Sequence, residues 1–169
     1  MHDTIRMFVE RSLKQFPPRR RIIEFGARNI NGSIKGSFLT KELEFYIGID
    51  MHEGSGVDII DDASMFVPTS EQAPDTIVCV SVLEHTPVAK ELVQNAYDIL
   101  LPNGIFICTT VTKPCPDHSS WDGGPLRTGE FYQDVDPLLL LEWMKPFKRI
   151  ILDFETFVSG DIFILGQKL

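Results

Sequence analysis

Apolar positions along this chain change their spacing several times, and each change marks an element. Ile5, Phe8, Val9, Leu13 and Phe16 recur at helical intervals behind Asp3 or Thr4 as cap, so an amphipathic helix opens the chain and Pro17-Pro18 ends it. Arg21-Ile22-Ile23-Glu24-Phe25 then reads as a short buried strand stopped by Gly26, with a helix predicted over 34–42. Three further apolar runs follow as strands: Phe45-Tyr46-Ile47-Gly48-Ile49 ending at Asp50, Val57-Asp58-Ile59-Ile60 ending at Asp61-Asp62, and Thr76-Ile77-Val78-Cys79-Val80. Thr86 is placed to cap, and Pro87 to begin, a helix whose apolar face runs Val88, Leu92, Ala96, Ile99 and Leu100.

Pro102-Asn103-Gly104 turns the chain into a fifth strand over 105–111. Residues 112–136 are rich in Pro, Gly, Ser and Asp, a length and composition that mark either a functional loop or an element misread as one. Asp136-Pro137 caps a last helix whose 138–143 run is nearly all apolar, exposing surface that could form an interface. Arg149-Ile150-Ile151-Leu152 and Ile162-Phe163-Ile164-Leu165 close the chain, separated by a segment carrying Ser159-Gly160. Alternating strands and helices imply a parallel sheet with right-handed crossovers. The last two strands are too close in sequence for a helical crossover, so they are expected to pair as an antiparallel hairpin.

At 169 residues this is one α/β domain: helix and linker over 1–20, a ligand-binding core over 21–111, a substrate-side loop over 112–136, and a helix and hairpin over 137–169. A net charge of −8, from 24 acidic against 16 basic residues, argues against nucleic acid as partner. Arg19-Arg20-Arg21 reads as a solvated strand edge. Cys79, Cys108 and Cys115 are odd in number and lack metal-ribbon spacing, which fits a reducing cytoplasm. No apolar run reaches a membrane span, and Met1-His2-Asp3-Thr4 does not read as a signal peptide.

Candidate chemistry collects at the strand ends. In an open α/β sheet, ligands bind beyond the carboxyl ends where strand order reverses, and the turn after the first strand lies there. Gly26 permits close backbone approach, amides near the following helix start can face a carboxylate, and Glu24 can accept from an ammonium group. Asp50 can accept both hydroxyls of a ribose, Asp62-Ala63 can meet an adenine amino group, and Met51 can pack against the base. Glycines at 26 and 32, with Arg28 and Ile30 between, do not make the GxGxxG of a dinucleotide site.

These residues carry a resemblance. Ile22-Ile23-Glu24-Phe25-Gly26-Ala27-Arg28-Asn29-Ile30-Asn31-Gly32-Ser33 resembles the first motif of a branch of class I, Rossmann-like S-adenosylmethionine-dependent methyltransferases (the type 11-like branch). Tyr46-Ile47-Gly48-Ile49-Asp50 and Gly56-Val57-Asp58-Ile59-Ile60-Asp61-Asp62-Ala63 resemble that family's ribose and adenine motifs. Val80-Ser81-Val82-Leu83-Glu84-His85 is similar to its segment after the fourth strand, and Leu100-Leu101-Pro102-Asn103-Gly104 to the turn before the fifth. The resemblance implies a three-layer Rossmann-like sandwich whose mostly parallel seven-stranded sheet ends in an antiparallel hairpin. It implies S-adenosylmethionine as cofactor and S-adenosylhomocysteine as product, held by Glu24, Gly26, Ala27, Arg28, Asn31, Gly32, Asp50, Met51, Asp62, Ala63, Ser81 and Val82. Asn103 stands where the family has glycine, and Asn tolerates the left-handed turn.

The implied activity is methyl transfer (EC 2.1.1.-) to a small molecule or an exposed sugar, lipid or peptide group. Such in-line displacement needs alignment and exclusion of water, with a base only where the acceptor must lose a proton. His85 is the candidate base, the alternative being that Glu84-His85 caps the next helix or lines the cofactor pocket. His118, Trp121 and Tyr132 stand on the substrate-side loop, as residues of a lid that can close or of an ordinary ordered loop with a buried Trp. Cys115, Asp117 and His118 offer no fourth donor, so no metal site is assigned. The alternative function is a non-catalytic cofactor-binding or scaffold module of the same fold.

Overall fold

The computed structural model describes residues 3–17, 19–155 and 160–169. Met1, His2, Pro18 and Ser159, which entered the reading of the termini and turns, lie outside the described residues. Seven strands are present among the described residues: β1 (Arg21–Phe25), β2 (Phe45–Asp50), β3 (Ile59–Ile60), β4 (Thr76–Val80), β5 (Ile105–Val111), β6 (Arg149–Glu155) and β7 (Asp161–Gln167). They form one sheet in the order β3-β2-β1-β4-β5-β7-β6. β1 to β5 are mutually parallel, whereas β7 runs antiparallel to both β5 and β6.

The central strands are apolar on both faces because both are covered, as parallel sheets require. All seven residues of β5 are buried. Ile22 and Ile23 are both fully buried yet belong to different cores, since successive strand side chains point to opposite faces. Helix α1 (Asp3–Leu13) packs Ile5, Phe8 and Val9 on the Ile22 face with Phe38 and Phe163. Helices α2 (Ala89–Ile99) and α3 (Pro137–Trp143) cover the Ile23 face, joining Leu92, Ala96 and Leu140 to Phe25 and Phe106. The result is the three-layer α/β sandwich with a mostly parallel sheet and an antiparallel terminal hairpin.

Two helices differ from the sequence reading. Over 34–42 there is a 3₁₀ turn at Lys35–Phe38 and no α-helix. Gly36 and Ser37 are weak helix formers, and the 3₁₀ turn already buries Ile34 and Phe38, four apart, while Leu39 is 64% exposed. In α2 the helix starts at Ala89, two residues beyond Pro87; Thr86 ends a preceding 3₁₀ turn, and its hydroxyl accepts from the Val88 amide at 3.3 Å. The buried face is therefore Ala89, Leu92, Val93 and Ala96. β3 is likewise shorter than its apolar run.

Other local signals hold. Asp136 caps α3, its Oδ1 accepting from the amides of Leu138 and Leu139, with Pro137 in the first helical turn. Leu138 is 73% exposed while Leu140 is fully buried, so the apolar run of α3 is only partly core. Asn103 takes φ +63° in the turn before β5. The strand order reverses between β1 and β4, since the chain leaves β1 toward β2 and β3 and then returns to build the other half. A crevice opens beyond the carboxyl ends of those two strands.

Candidate active site

The turn after β1 is shaped by one glycine and one asparagine. Gly26 has φ +72°, and a Cβ there would stand 2.2 Å from Cγ2 of Val82, so a side chain is excluded both by backbone conformation and by space. The amides of Gly26 and Ala27 both donate to the Ile49 carbonyl, at 2.9 and 3.0 Å. Gly32, also at positive φ, donates its amide to Oδ1 of Asn29 at 2.9 Å. The side chain of Asn29 thus closes a loop that lacks the usual intervening glycines. Because a single 3₁₀ turn replaces the predicted helix, the turn presents loop amides and side chains to a ligand, without an α-helix terminus behind them.

Glu24 is 7% exposed and lines the crevice. Burial pushes its carboxyl from the ordinary 4.5 up to about 7, against the stabilising hydrogen bond that the Tyr46 hydroxyl donates at 2.8 Å. A buried carboxylate with one donor and space beside it is a site for a cation. At the end of β2, Asp50 accepts from the Arg28 amide at 3.2 Å and from the His52 amide at 3.0 Å, one at each carboxylate oxygen. Each oxygen retains a lone pair for a ligand hydroxyl. Asp62 uses Oδ1 for the amide and hydroxyl of Ser64, which leaves Oδ2 for a ligand. Ala63 is buried at the crevice wall, whereas Met51 is 65% exposed at its rim. Ser81 follows β4 at φ +52°, a strained position for a residue with a side chain, and its amide donates to the Thr109 carbonyl at 2.9 Å.

A 3₁₀ turn at Leu83–His85 carries the remaining polar groups. Glu84 is fully buried; its Oε2 accepts from the Thr110 hydroxyl at 2.8 Å, and its Oε1 has no hydrogen-bond partner. Burial pushes this carboxyl up to about 7. His85 has a buried Nδ1, also without a partner, and burial together with the nearby His118 pushes its ring down to about 4. The rings of His85, His118 and Tyr132 form a mutual cluster, with centroids 4.9, 5.3 and 5.1 Å apart. Burial and Cys115 hold the Tyr132 phenol protonated, well above its usual range.

Residues 112–136 lie across the crevice as an ordered strap. Glu130 ties it internally, accepting from the Ser119 and Ser120 hydroxyls and from the amides of Ser120 and Arg127. Gln133 donates its amide to the Glu84 carbonyl at 2.8 Å, which anchors the strap beside the 3₁₀ turn. Arg28 reaches it from the other side, donating to the Ser120 carbonyl at 2.9 Å and lying 4.4 Å over the Trp121 ring. Trp121 also meets His52 in a tilted ring contact, centroids 4.6 Å apart. It therefore stands apart from His118 and Tyr132, on the side of the first turn and Asp50, held by the Arg28 guanidinium.

One cavity of about 340 Å³ runs through these groups. Its walls include Glu24, Gly26, Ala27, Arg28, Asn31, Gly32, Asp50, Met51, Asp62, Ala63, Ser81 and Val82 together with His85 and His118. Trp121 and Tyr132 are outside its lining. Glu84 lines it, as one of the two readings of Glu84-His85 expected; Cys115, weighed only as a metal ligand, lines it too, and Asp161 was not foreseen as a site residue. Asp161 comes from the far end of the chain through its register partner Val111, a contact that no local spacing encodes.

The chain matches the family described as a methyltransferase domain over residues 1–149, and it belongs to that family. No curated protein matches it. Among solved structures, it is similar to the N-terminal domain of EvdMO1 in the presence of S-adenosylhomocysteine and D-fucose, with a TM-score of 0.70 at 16% identity, covering 99% of this chain and 84% of that one. The N-methyltransferase NodS from Bradyrhizobium japonicum WM9, in complex with S-adenosylhomocysteine, gives 0.65 at 12% identity, covering 98% and 86%. The CurJ carbon methyltransferase gives 0.62 at 18% identity; 94% of this chain is covered, and the chain spans 51% of that structure. At these identities the likeness is one of fold.

Proposed function

We propose that this protein binds S-adenosylmethionine and transfers its methyl group to a small-molecule acceptor. The observation that carries the reading is that one cavity is lined both by the first-turn and Asp50 groups and by His85 and His118. Cofactor and acceptor can therefore meet without passing through solvent. When bound, the cofactor supplies an electrophilic methyl group on a sulfonium.

The donor set fits that cofactor. Glu24 accepts from the amino group, whose positive charge offsets the burial of the carboxylate. Gly26 and Ala27 let the backbone approach it closely, and Arg28, Asn31 and Gly32 form the loop around its carboxylate end. Asp50 accepts the ribose hydroxyls. Asp62, Ala63 and Met51 border the base, and Ser81 with Val82 forms the floor beneath the chain. His85 is assigned to the acceptor: neutral at pH 7, its unpartnered Nδ1 can take a hydrogen bond from an acceptor hydroxyl or amine. The strap over 112–136 excludes water. The free thiols of Cys79, Cys108 and Cys115 favour a reducing, cytoplasmic setting, and no helix among the described residues is long and apolar enough to cross a membrane.

Calorimetric titration with S-adenosylhomocysteine tests the first half, and mass spectrometry of a small-molecule acceptor panel the second. Saturable one-to-one binding with methylated product supports the reading; no heat and no thermal shift at millimolar ligand refutes it. His85→Ala should lower turnover about 100-fold or more while changing S-adenosylhomocysteine affinity by less than about threefold.

A further inference from the structure

Three donor side chains converge in the cavity. Glu84, His85 and His118 each offer one ligand atom, and these atoms lie within 4.8 Å of one another. Glu84 is 0% exposed with Oε1 unpartnered, and Nδ1 of His85 is buried and unpartnered. Leaving two such atoms without partners is unfavourable unless something binds between them.

The surroundings hold the donors in a ligating state. Thr110 donates to Oε2 of Glu84 at 2.8 Å, which fixes the carboxylate and leaves Oε1 without a partner. Nδ1 of His118 faces the Pro116 carbonyl at 3.0 Å, which places the ring proton on Nδ1 and leaves the Nε2 lone pair for coordination. Both are the outer hydrogen bonds that orient metal ligands in proteins. Asp161 lines the same cavity and adds a second buried carboxylate to the field.

We propose that Glu84, His85 and His118 form a two-histidine, one-carboxylate site for a divalent transition-metal ion on the wall of this cavity. Two imidazoles and one carboxylate suit zinc, iron(II), cobalt or manganese, and three protein ligands leave coordination positions open to the cavity. Donors around an ion at about 2.1 Å stand roughly 3 Å apart, so these donors, within 4.8 Å of one another, draw together by up to about 2 Å on binding.

The ligand class that follows is an oxygen donor, and this part rests on the methyl-transfer reading. An acceptor hydroxyl that coordinates the ion as it enters from solvent loses its proton to a bulk water, which leaves as hydronium: the O–H bond breaks, the electron pair stays on the oxygen, and the oxyanion is held by the ion. His85 then acts on the acceptor through the metal. Acceptors with two adjacent oxygens, such as vicinal diols or catechols, fit the open positions best.

The test uses tag-free, chelator-stripped full-length protein titrated with ZnCl₂ and with MnCl₂ in a calorimeter, and with CoCl₂ in a spectrophotometer. One equivalent of Zn²⁺ should bind, and Co²⁺ should give visible bands of a nitrogen-ligated ion. His118→Ala, which alters the strap and not the core, should weaken binding about tenfold or more, and Glu84→Gln should do the same in folded protein. No stoichiometric binding of any of the three ions, binding unchanged by His118→Ala, or binding abolished by Cys115→Ser but not by His118→Ala overturns the site. Titration with S-adenosylhomocysteine on the same samples separates the two readings. Cofactor binding without metal binding refutes this site alone, and metal binding without cofactor binding refutes the methyl-transfer reading alone.

Discussion

Glu24→Gln exchanges stability for binding, and the structure sets both magnitudes. The buried carboxyl of Glu24 has its titration raised from 4.5 to about 7, so the folded apoprotein holds this proton more tightly than the unfolded chain does. A raised carboxyl stabilises the fold fully below pH 4.5 and loses that contribution as pH rises to 7. The displacement corresponds to about 3 kcal/mol, all of it lost by pH 8. Glutamine is nearly isosteric, keeps an oxygen for the Tyr46 hydroxyl and carries no charge, so it removes the penalty. In thermal melts without ligand, the variant should exceed wild type by up to about 3 kcal/mol at pH 8, or roughly 5–10 °C for a chain of this size. Near pH 4.5 the two should melt together. Calorimetry with S-adenosylhomocysteine at pH 8 should show the opposite sign: losing a charge-assisted hydrogen bond to the amino group weakens binding by about 1.5–3 kcal/mol, or roughly 10- to 150-fold. Equal melting at pH 8, a stability gain that does not fade toward pH 4.5, or unchanged ligand affinity would each refute the reasoning.

Three further variants probe the rest of the site. Asp50→Ala should weaken S-adenosylhomocysteine binding by about 1–3 kcal/mol in calorimetry through the lost ribose contacts and the freed Arg28 amide. Gly26→Ala should destabilise the apoprotein by about 2 kcal/mol or more in denaturant melts, because φ is +72° and Cβ meets Val82; adding Val82→Ala should recover only the steric part. Arg28→Ala removes the bond to the Ser120 carbonyl and the contact with Trp121, so amide exchange over 118–124 should accelerate while the central strands stay protected.

Much of this protein is determined locally. The strand runs, the turn at Asn103, the Asp136 cap and the hairpin after 149 are legible because each rests on neighbours a few residues apart, where periodicity and backbone preference act directly. Glu24, Asp50 and Asp62 were legible as strand-end carboxylates for the same reason, once the alternation of elements implied a parallel sheet. The segment over 34–42 misled because its Ile34 and Phe38 spacing suits a helix, yet one 3₁₀ turn satisfies their burial.

What only the tertiary structure decided is which polar groups meet. Thr110 meets Glu84 across the sheet, and Asp161 reaches the cavity through an antiparallel register set by β5 and β7. Trp121 and His118, three residues apart on one strap, part company, His118 lining the cavity and Trp121 lying outside it against Arg28 and His52. Burial, which raises Glu24 and Glu84 and lowers His85, is likewise a property of the packed whole. Hydrophobic spacing determines where strands begin and end; the direction and charge of the side chains at their ends depend on distant segments that close over them.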